Sequence, residues 1–315
     1  MQAKLFAAAA AALVLHTSCA SNEPQGPAPL KVFILAGQSN MEGAGAIRGN
    51  AERNGGQGGL EYLVKDAATA ERFAHLVGTD GDWVVRDDVS IWYLGRSGGL
   101  TVGYGAKEDR IGPELQFGNV IGDHYDEPVL LIKTAWGGKS IAVDFRPPSS
   151  GGEVGPFYTE FLQHVRDVLA NLDTLFPQHA GRDHELIGLG WHQGWNDRVN
   201  QTHNDEYETN LANFIRDVRA ELAIPNLPFV VAETGMTGHE DKHPRALSLM
   251  AAQYAVAQYD EFAGNVAFVG TKDYYREPEV SPSNQGYHWN SNAETYFLIG
   301  DGMGEAMLEL VSGVR

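Results

Sequence analysis

Four widely separated stretches of this 315-residue chain carry the side chains that acyl transfer needs. Ser39 stands in Gly37-Gln38-Ser39-Asn40, directly after the apolar run Phe33-Ile34-Leu35-Ala36 and shortly before Gly43. Gly137 and Gly138 lie in TAWGGKS, Gly194, Asn196 and Asp197 in WHQGWND, and His288 in GYHWN. A serine hydroxyl is a weak nucleophile until a base takes its proton, and histidine has the pKa best matched to that task. The tetrahedral intermediate needs amide donors held in advance, which glycine N–H groups and an asparagine side chain supply. Each residue also has a plain structural reading: Ser39 or Asn196 as a helix cap, the glycine pair as a turn, His288 as a polar residue near a helix start. Their joint occurrence favours catalysis.

Two better-known motifs are present literally and fail their structural tests. Gly95-Arg96-Ser97-Gly98-Gly99 has the letters of a nucleophile elbow, but the elbow must feed a helix, and the following LTVGYGAKEDRIG has three glycines and no helical period. His239-Glu240-Asp241-Lys242-His243 has the letters of a zinc-protease helix, yet Gly238 and Pro244 bracket it, so a solvated loop leading into a helix is expected and no metal site.

The elements that must position the four stretches follow from periodicity. Apolar runs at 31–36, 89–94, 129–134, 186–191, 229–232 and 266–270 read as strands, alternating with helical segments. Phe161, Val165, Val168, Leu172 and Leu175 make one apolar helix face, and Tyr207, Leu211, Ile215, Val218 and Leu222 another. A last helix is expected over about 293–310. The glycine-rich 43–87 lacks a period and reads as a long loop with short elements. This pattern predicts an α/β fold, a mostly parallel sheet covered by helices, with ligands at the carboxyl ends of the strands, where three of the four stretches fall, while GYHWN stands just before the last helix.

Composition narrows the partners. The formal net charge of -18 opposes nucleic acid and anionic lipid surfaces, which call for clustered Lys and Arg. Residues 1–19 have the form of a signal peptide, too short to span a membrane, and the sole cysteine, Cys19, ends a lipobox-like LHTSC. Lipidation at Cys19 and ordinary cleavage after Ala20 are both open. The first makes the chain a bacterial outer-membrane lipoprotein, the second a periplasmic or secreted protein. Residues 20–30 read as a flexible tether and 31–315 as one domain, without a disulfide.

The blocks VFILAGQSNMEG, GPELQFG, AWGGKSI and WHQGWND, with the C-terminal histidine, resemble the SGNH hydrolases, and more narrowly the sialate O-acetylesterase-like branch that includes acetylxylan esterases of carbohydrate esterase family six. The likeness runs from about residue 31 to 310. It implies a three-layer α/β/α sandwich of flavodoxin-like topology and cofactor-free serine esterase chemistry. Ser39 would be the nucleophile, His288 the base and Asn196 an oxyanion donor, with the N–H groups of Ser39 and of Gly137 or Gly138. Two departures stand out: Gln285 occupies the position where SGNH enzymes carry an aspartate, and Trp195 that of a glutamate in many relatives. The orienting acid is therefore open among Asp197, Asp273 and Glu294, with a Ser-His dyad as the fourth option.

Trp136, Trp191, Trp195 and Trp289 all fall in site-forming segments, and indole faces can stack on sugar C–H faces or simply wall a core. Gln38, Trp136, Gln193, Trp195 and Trp289 are the expected substrate contacts, and an acetylated carbohydrate the expected substrate. The rival reading is a non-catalytic carbohydrate-binding protein on the same fold.

Overall fold

The computed structural model describes residues 27–313. Its centre is a seven-stranded sheet in the order β4-β3-β6-β1-β7-β8-β9. The strands are β1 (Leu30–Gly37), β3 (Val89–Tyr93), β4 (Arg96–Gly99), β6 (Val129–Ala135), β7 (His184–His192), β8 (Phe229–Ala232) and β9 (Val266–Val269). A separate antiparallel pair joins β2 (Gly45–Ala46) to β5 (Arg110–Ile111). All neighbours in the large sheet are parallel except β4, which folds back on β3. Every strand expected from the apolar runs is present, and β4 and the short pair β2 and β5 are additions.

Both faces of a parallel sheet must be covered, and here each strand divides its apolar residues between two cores. Val32, Ile34, Leu130, Ile132, Leu189, Trp191 and Val231 belong to one. On it lie helices α3 (Pro156–Ala170), α5 (Gln201–Glu221) and α6 (Pro244–Val256). Phe214 of α5 anchors this side, its ring 4.5 Å from Trp191 and within 6.4 Å of Phe145, Phe161 and Phe229. Truncating so enclosed a ring costs about 3–5 kcal/mol. Phe33, Leu35, Val89, Ile91, Leu131 and Val230 face the other side, which α2 (Glu114–His124) and α7 (Ala293–Ser312) cover with Phe117, Ile121, Ile299, Met303 and Met307. The three layers are those of the expected α/β/α sandwich.

Residues 43–87 form single helical turns, and Leu60, Leu63, Phe73 and Leu76 bury against Ile111, Leu115 and Phe297. The first helix of the chain, α1 (Ser39–Glu42), is a single turn leaving β1, and α4 (Trp195–Arg198) is its counterpart after β7.

The two rejected motifs are where their flanks put them. Ser97 is an exposed residue of β4, paired with Trp92 across a tight hairpin whose corner residues, Leu94 and Gly95, both have positive φ. His239 sits in a short turn with Nε2 2.7 Å from Asp273 Oδ1, while His243 caps α6 through Nδ1, which accepts from Arg245 N at 3.2 Å. The two histidines do not share a helix face. Among the described residues no group of three or more His, Cys, Asp or Glu is arranged to hold a metal ion.

Candidate active site

β1 ends where two backbones almost touch. Gly37 has φ +155°, and a Cβ there would collide with the His192 carbonyl of β7, so only glycine allows the approach. The next residue fastens the junction. Gln38 N donates to His192 O at 3.2 Å, and Gln38 Oε1 accepts from Gly194 N at 3.1 Å and Asn196 N at 3.3 Å. One buried amide thus ties the turn bearing Ser39 to the turn bearing Asn196. Ser39 follows, partly exposed, at the start of α1.

Asn40 reaches the other end of the chain. Its Nδ2 donates to Tyr287 O at 3.2 Å, and its Oδ1 accepts from Tyr296 Oη at 2.8 Å. The same hydroxyl lies 3.4 Å from His288 O. The residues flanking the candidate nucleophile and the candidate base are therefore latched together. His288 is half-buried, and the Tyr287 ring is its neighbour at 4.6 Å. Burial holds its imidazole below the ordinary histidine pKa, with no carboxylate acting in the opposite direction. The imidazole is therefore neutral near neutral pH.

Gly137 follows β6 beside Ser39: a Cβ built on it would lie 3.8 Å from Ser39 Cβ. Gly138 is exposed with open space around it. Of the two glycines, Gly137 is the one against the serine. The Asn196 side chain is partly exposed and makes no hydrogen bond within the described residues, which leaves its amide available.

The expected acids are all committed elsewhere, which is a correction. Asp197 is fully buried: Oδ1 accepts from Ala142 N at 2.9 Å, and Oδ2 from Ile141 N at 3.0 Å and Gln193 Nε2 at 2.6 Å. It clamps the loop that continues from Gly137, and burial pushes its pKa up to about 6 against those three donors. Asp273 pairs with His239 in solvent. Glu294 bridges Arg72 at 2.6 Å and Arg276 at 2.8 Å. None of the three hydrogen-bonds His288, whose ring has no hydrogen-bond partner among the described residues.

Three expected substrate contacts are likewise interior. Gln38 and Gln193 are buried, with Gln38 Oε1 and Gln193 Nε2 hydrogen-bonded inside the protein, and Trp289 is wholly enclosed in the core, as is Trp191. Trp136 and Trp195 remain partly exposed. Trp136 leans on Phe157 at 5.1 Å, while Trp195 carries the Arg198 guanidinium at 3.7 Å and faces Tyr287 at 6.2 Å.

One supporting device escaped the sequence reading. Lys133 and Glu114 form a fully buried ion pair at 2.7 Å. Lys133 Nζ also donates to Glu42 O and Tyr104 O, each at 2.7 Å, and so grips the carboxyl end of α1. Desolvation lowers the lysine pKa and the Glu114 carboxylate opposes that. A single charge inside the strand VLLIKTA, after four apolar residues, was the available signal.

With this geometry in hand, the relatives fall into place. The family model described as "Carbohydrate esterase, sialic acid-specific acetylesterase" matches residues 29–309. No curated protein matches the chain. Among solved structures it is similar to a protein from Arabidopsis thaliana at 16% identity, with a TM-score of 0.58 over 89% of this chain and 98% of that one. A carbohydrate acetylesterase from Xanthomonas citri is similar at 14% identity and TM-score 0.55, over 90% of this chain and 57% of that one. NanS is similar at 14% identity and TM-score 0.53, over 90% of this chain and 98% of its own. Identities this low speak to the fold. The family match covers nearly the whole described chain, and the chain accordingly belongs to the sialic acid-specific acetylesterase family of carbohydrate esterases, which makes it a carboxylic ester hydrolase.

Proposed function

We propose that this chain is an exported serine esterase that removes acetyl groups from a carbohydrate, working with Ser39 and His288 as a dyad. The observation that carries the reading is the Asn40 latch, which joins the turn of a partly exposed serine to the segment of a half-buried, unencumbered imidazole. In this reading His288 takes the Ser39 proton as Oγ attacks the acetyl carbonyl. The oxyanion is received by the N–H groups of Ser39 and Gly137 and by Asn196 Nδ2. Collapse of the intermediate breaks the ester C–O bond, and His288 returns its proton to the departing sugar oxygen. Water activated by the same histidine then releases acetate from the acyl-enzyme.

The family to which the chain belongs and the acetylesterase from Xanthomonas citri both support an acetylated carbohydrate as substrate. A panel of O-acetylated sialic acids and acetylated xylo-oligosaccharides, assayed for acetate release, tests the substrate class. Labelling by a serine-directed organophosphonate, mapped by peptide mass spectrometry, tests the nucleophile. Label on Ser97 in place of Ser39 would defeat the assignment.

Export rests on the sequence of residues 1–19, and Cys19 lies outside the described residues. The proposal is that Cys19 carries lipid and tethers the enzyme to a membrane. A mature chain beginning at Ser21 without modification would make it a periplasmic or secreted enzyme instead.

A further inference from the structure

Sheet order gives the nucleophile two unlike flanks. β7, with Asn196 after it, lies on one side of β1; β6 and then β3 lie on the other. At the carboxyl end of β3 is a cleft of about 360 Å³ lined by Glu42, Tyr93, Leu94, Arg96, Lys107 and Glu108. Glu42 is the last residue of α1, one turn from Ser39, and a Cβ on Gly137 would lie 3.0 Å from its Oε2. The cleft therefore adjoins the reacting serine.

Arg96 and Tyr93 in its wall already have partners within the protein. Arg96 donates to Gly103 O at 2.8 Å and Gly105 O at 2.6 Å, with its guanidinium 4.7 Å from the Tyr93 ring centroid. The ammonium of Lys133 lies 4.4 Å from that same centroid, so cations already occupy Tyr93 and it is not a free stacking platform. Tyr93 Oη donates to Glu42 Oε1 at 3.2 Å and to Ala135 O at 3.3 Å. Glu42 Oε2 accepts from no donor among the described residues, although the residue is half-buried and desolvation raises its pKa. That oxygen is not enclosed, so a ligand hydroxyl can donate to it in place of water.

Charge selects the donor. Glu42 and Glu108 balance Arg96 and Lys107, so the cleft has no net attraction for an anion, and the side-chain acceptors left free in it, Glu42 Oε2 and the exposed Glu108 carboxylate, are carboxyl oxygens. An acidic ring would set carboxylate against carboxylate. A neutral sugar offers hydroxyl donors.

We propose that this cleft is a subsite for a neutral glycosyl unit of the leaving group, and that Glu42 Oε2 accepts a hydrogen bond from one of its hydroxyls. The proposal rests on the esterase reading and adds to it a specificity-determining residue. The enzyme then acts best where the acetylated sugar is linked to a neutral neighbour.

The test compares acetylated xylotriose with 4-nitrophenyl acetate, which has no glycosyl unit. Glu42→Ala should lower the ratio of kcat/KM for the first to that for the second by about ten- to a hundredfold, the range for a hydrogen bond to a charged group, mainly through KM. Glu42→Gln, which keeps an acceptor and the side-chain shape, should recover part of the loss and serves if the alanine variant misfolds. An unchanged ratio, or equal losses on both esters in both variants, overturns the subsite while leaving the esterase intact. If the wild type hydrolyses neither ester, the esterase reading fails, and calorimetric titration with unacetylated xylotriose decides the cleft. Binding weakened about tenfold in Glu42→Ala supports it; equal or absent binding in the two proteins overturns it.

Discussion

The two halves of the candidate dyad are built in opposite ways. Ser39 leaves a central strand whose register pairs Gly37 with both Ala135 and His192. It is braced by the Gln38 amide and, through Glu42 O, by the buried Lys133–Glu114 pair. His288 rides an irregular turn, Gly286–Ser291, in which Trp289, Asn290 and Ser291 successively have φ of 52°, 56° and 57°. Left-handed backbone at three successive non-glycine residues costs free energy at each and persists only when the surroundings impose it. Here Trp289 is enclosed in the core, and Asn290 Nδ2 donates to Arg276 O at 3.0 Å and Tyr275 Oη at 3.3 Å. Ser39 is thus positioned by regular secondary structure, and His288 by side chains that hold an unfavourable turn. Precision at an active site can come from either source, but only the first leaves a simple trace in the chain.

The largest effects should come from the reacting groups themselves. Ser39→Ala and His288→Ala are each expected to lower kcat for ester hydrolysis by about 10⁴-fold or more, with unchanged circular dichroism. Asp197→Asn separates a catalytic acid from a structural clamp. As a clamp it should show a lowered melting temperature and only a modest fall in kcat, whereas a fall matching that of His288→Ala would restore Asp197 as the acid.

Lys133→Met attacks the serine half from beneath. It leaves Glu114 buried and unpaired and should cost about 3–5 kcal/mol in urea unfolding, the usual penalty for removing one partner of a buried pair. A loss under about 1 kcal/mol would mean that α1 is held without it. Asn196→Ala should reduce kcat about 10²- to 10³-fold with little change in KM, the range for one oxyanion donor. Unchanged turnover would remove Asn196 from the hole.

The smallest test probes the histidine half alone. Since burial lowers the His288 pKa, its basic form persists below the ordinary histidine value of about 6.5, and the acid limb of kcat/KM should fall at a lower pH than that. An ionised carboxylate against the imidazole would move the limb upward. A limb above about 7 would therefore reveal an orienting acid and end the dyad reading.

Six strands, the helices α3, α5 and α7, a helix-covered sheet and the strand-end location of Ser39, Gly137 and Asn196 could be read from the chain itself, whereas the three layers followed from the family resemblance and α2 was not expected. Apolar periodicity and glycine placement are local signals, and a strand's exit point follows from where its apolar run stops. The rejection of Ser97 and of the two histidines at 239 and 243 was legible for the same reason, since their flanks contradicted the elements those motifs require. Tertiary structure alone decided the rest. Asp197 looked like an acid because its position along the chain suited one, yet its oxygens meet Ile141 and Ala142, which come from another strand's loop. Gln38, Gln193 and Trp289 have types suited to a sugar and lie inside, because burial depends on what packs above a residue. Choosing Gly137 over Gly138, and finding Glu42 at the edge of a cleft, required knowing that β6 lies beside β1. Residue type and spacing specify which chemistry is available, but which groups meet is set by contacts between segments far apart in the chain, and those carry no local period.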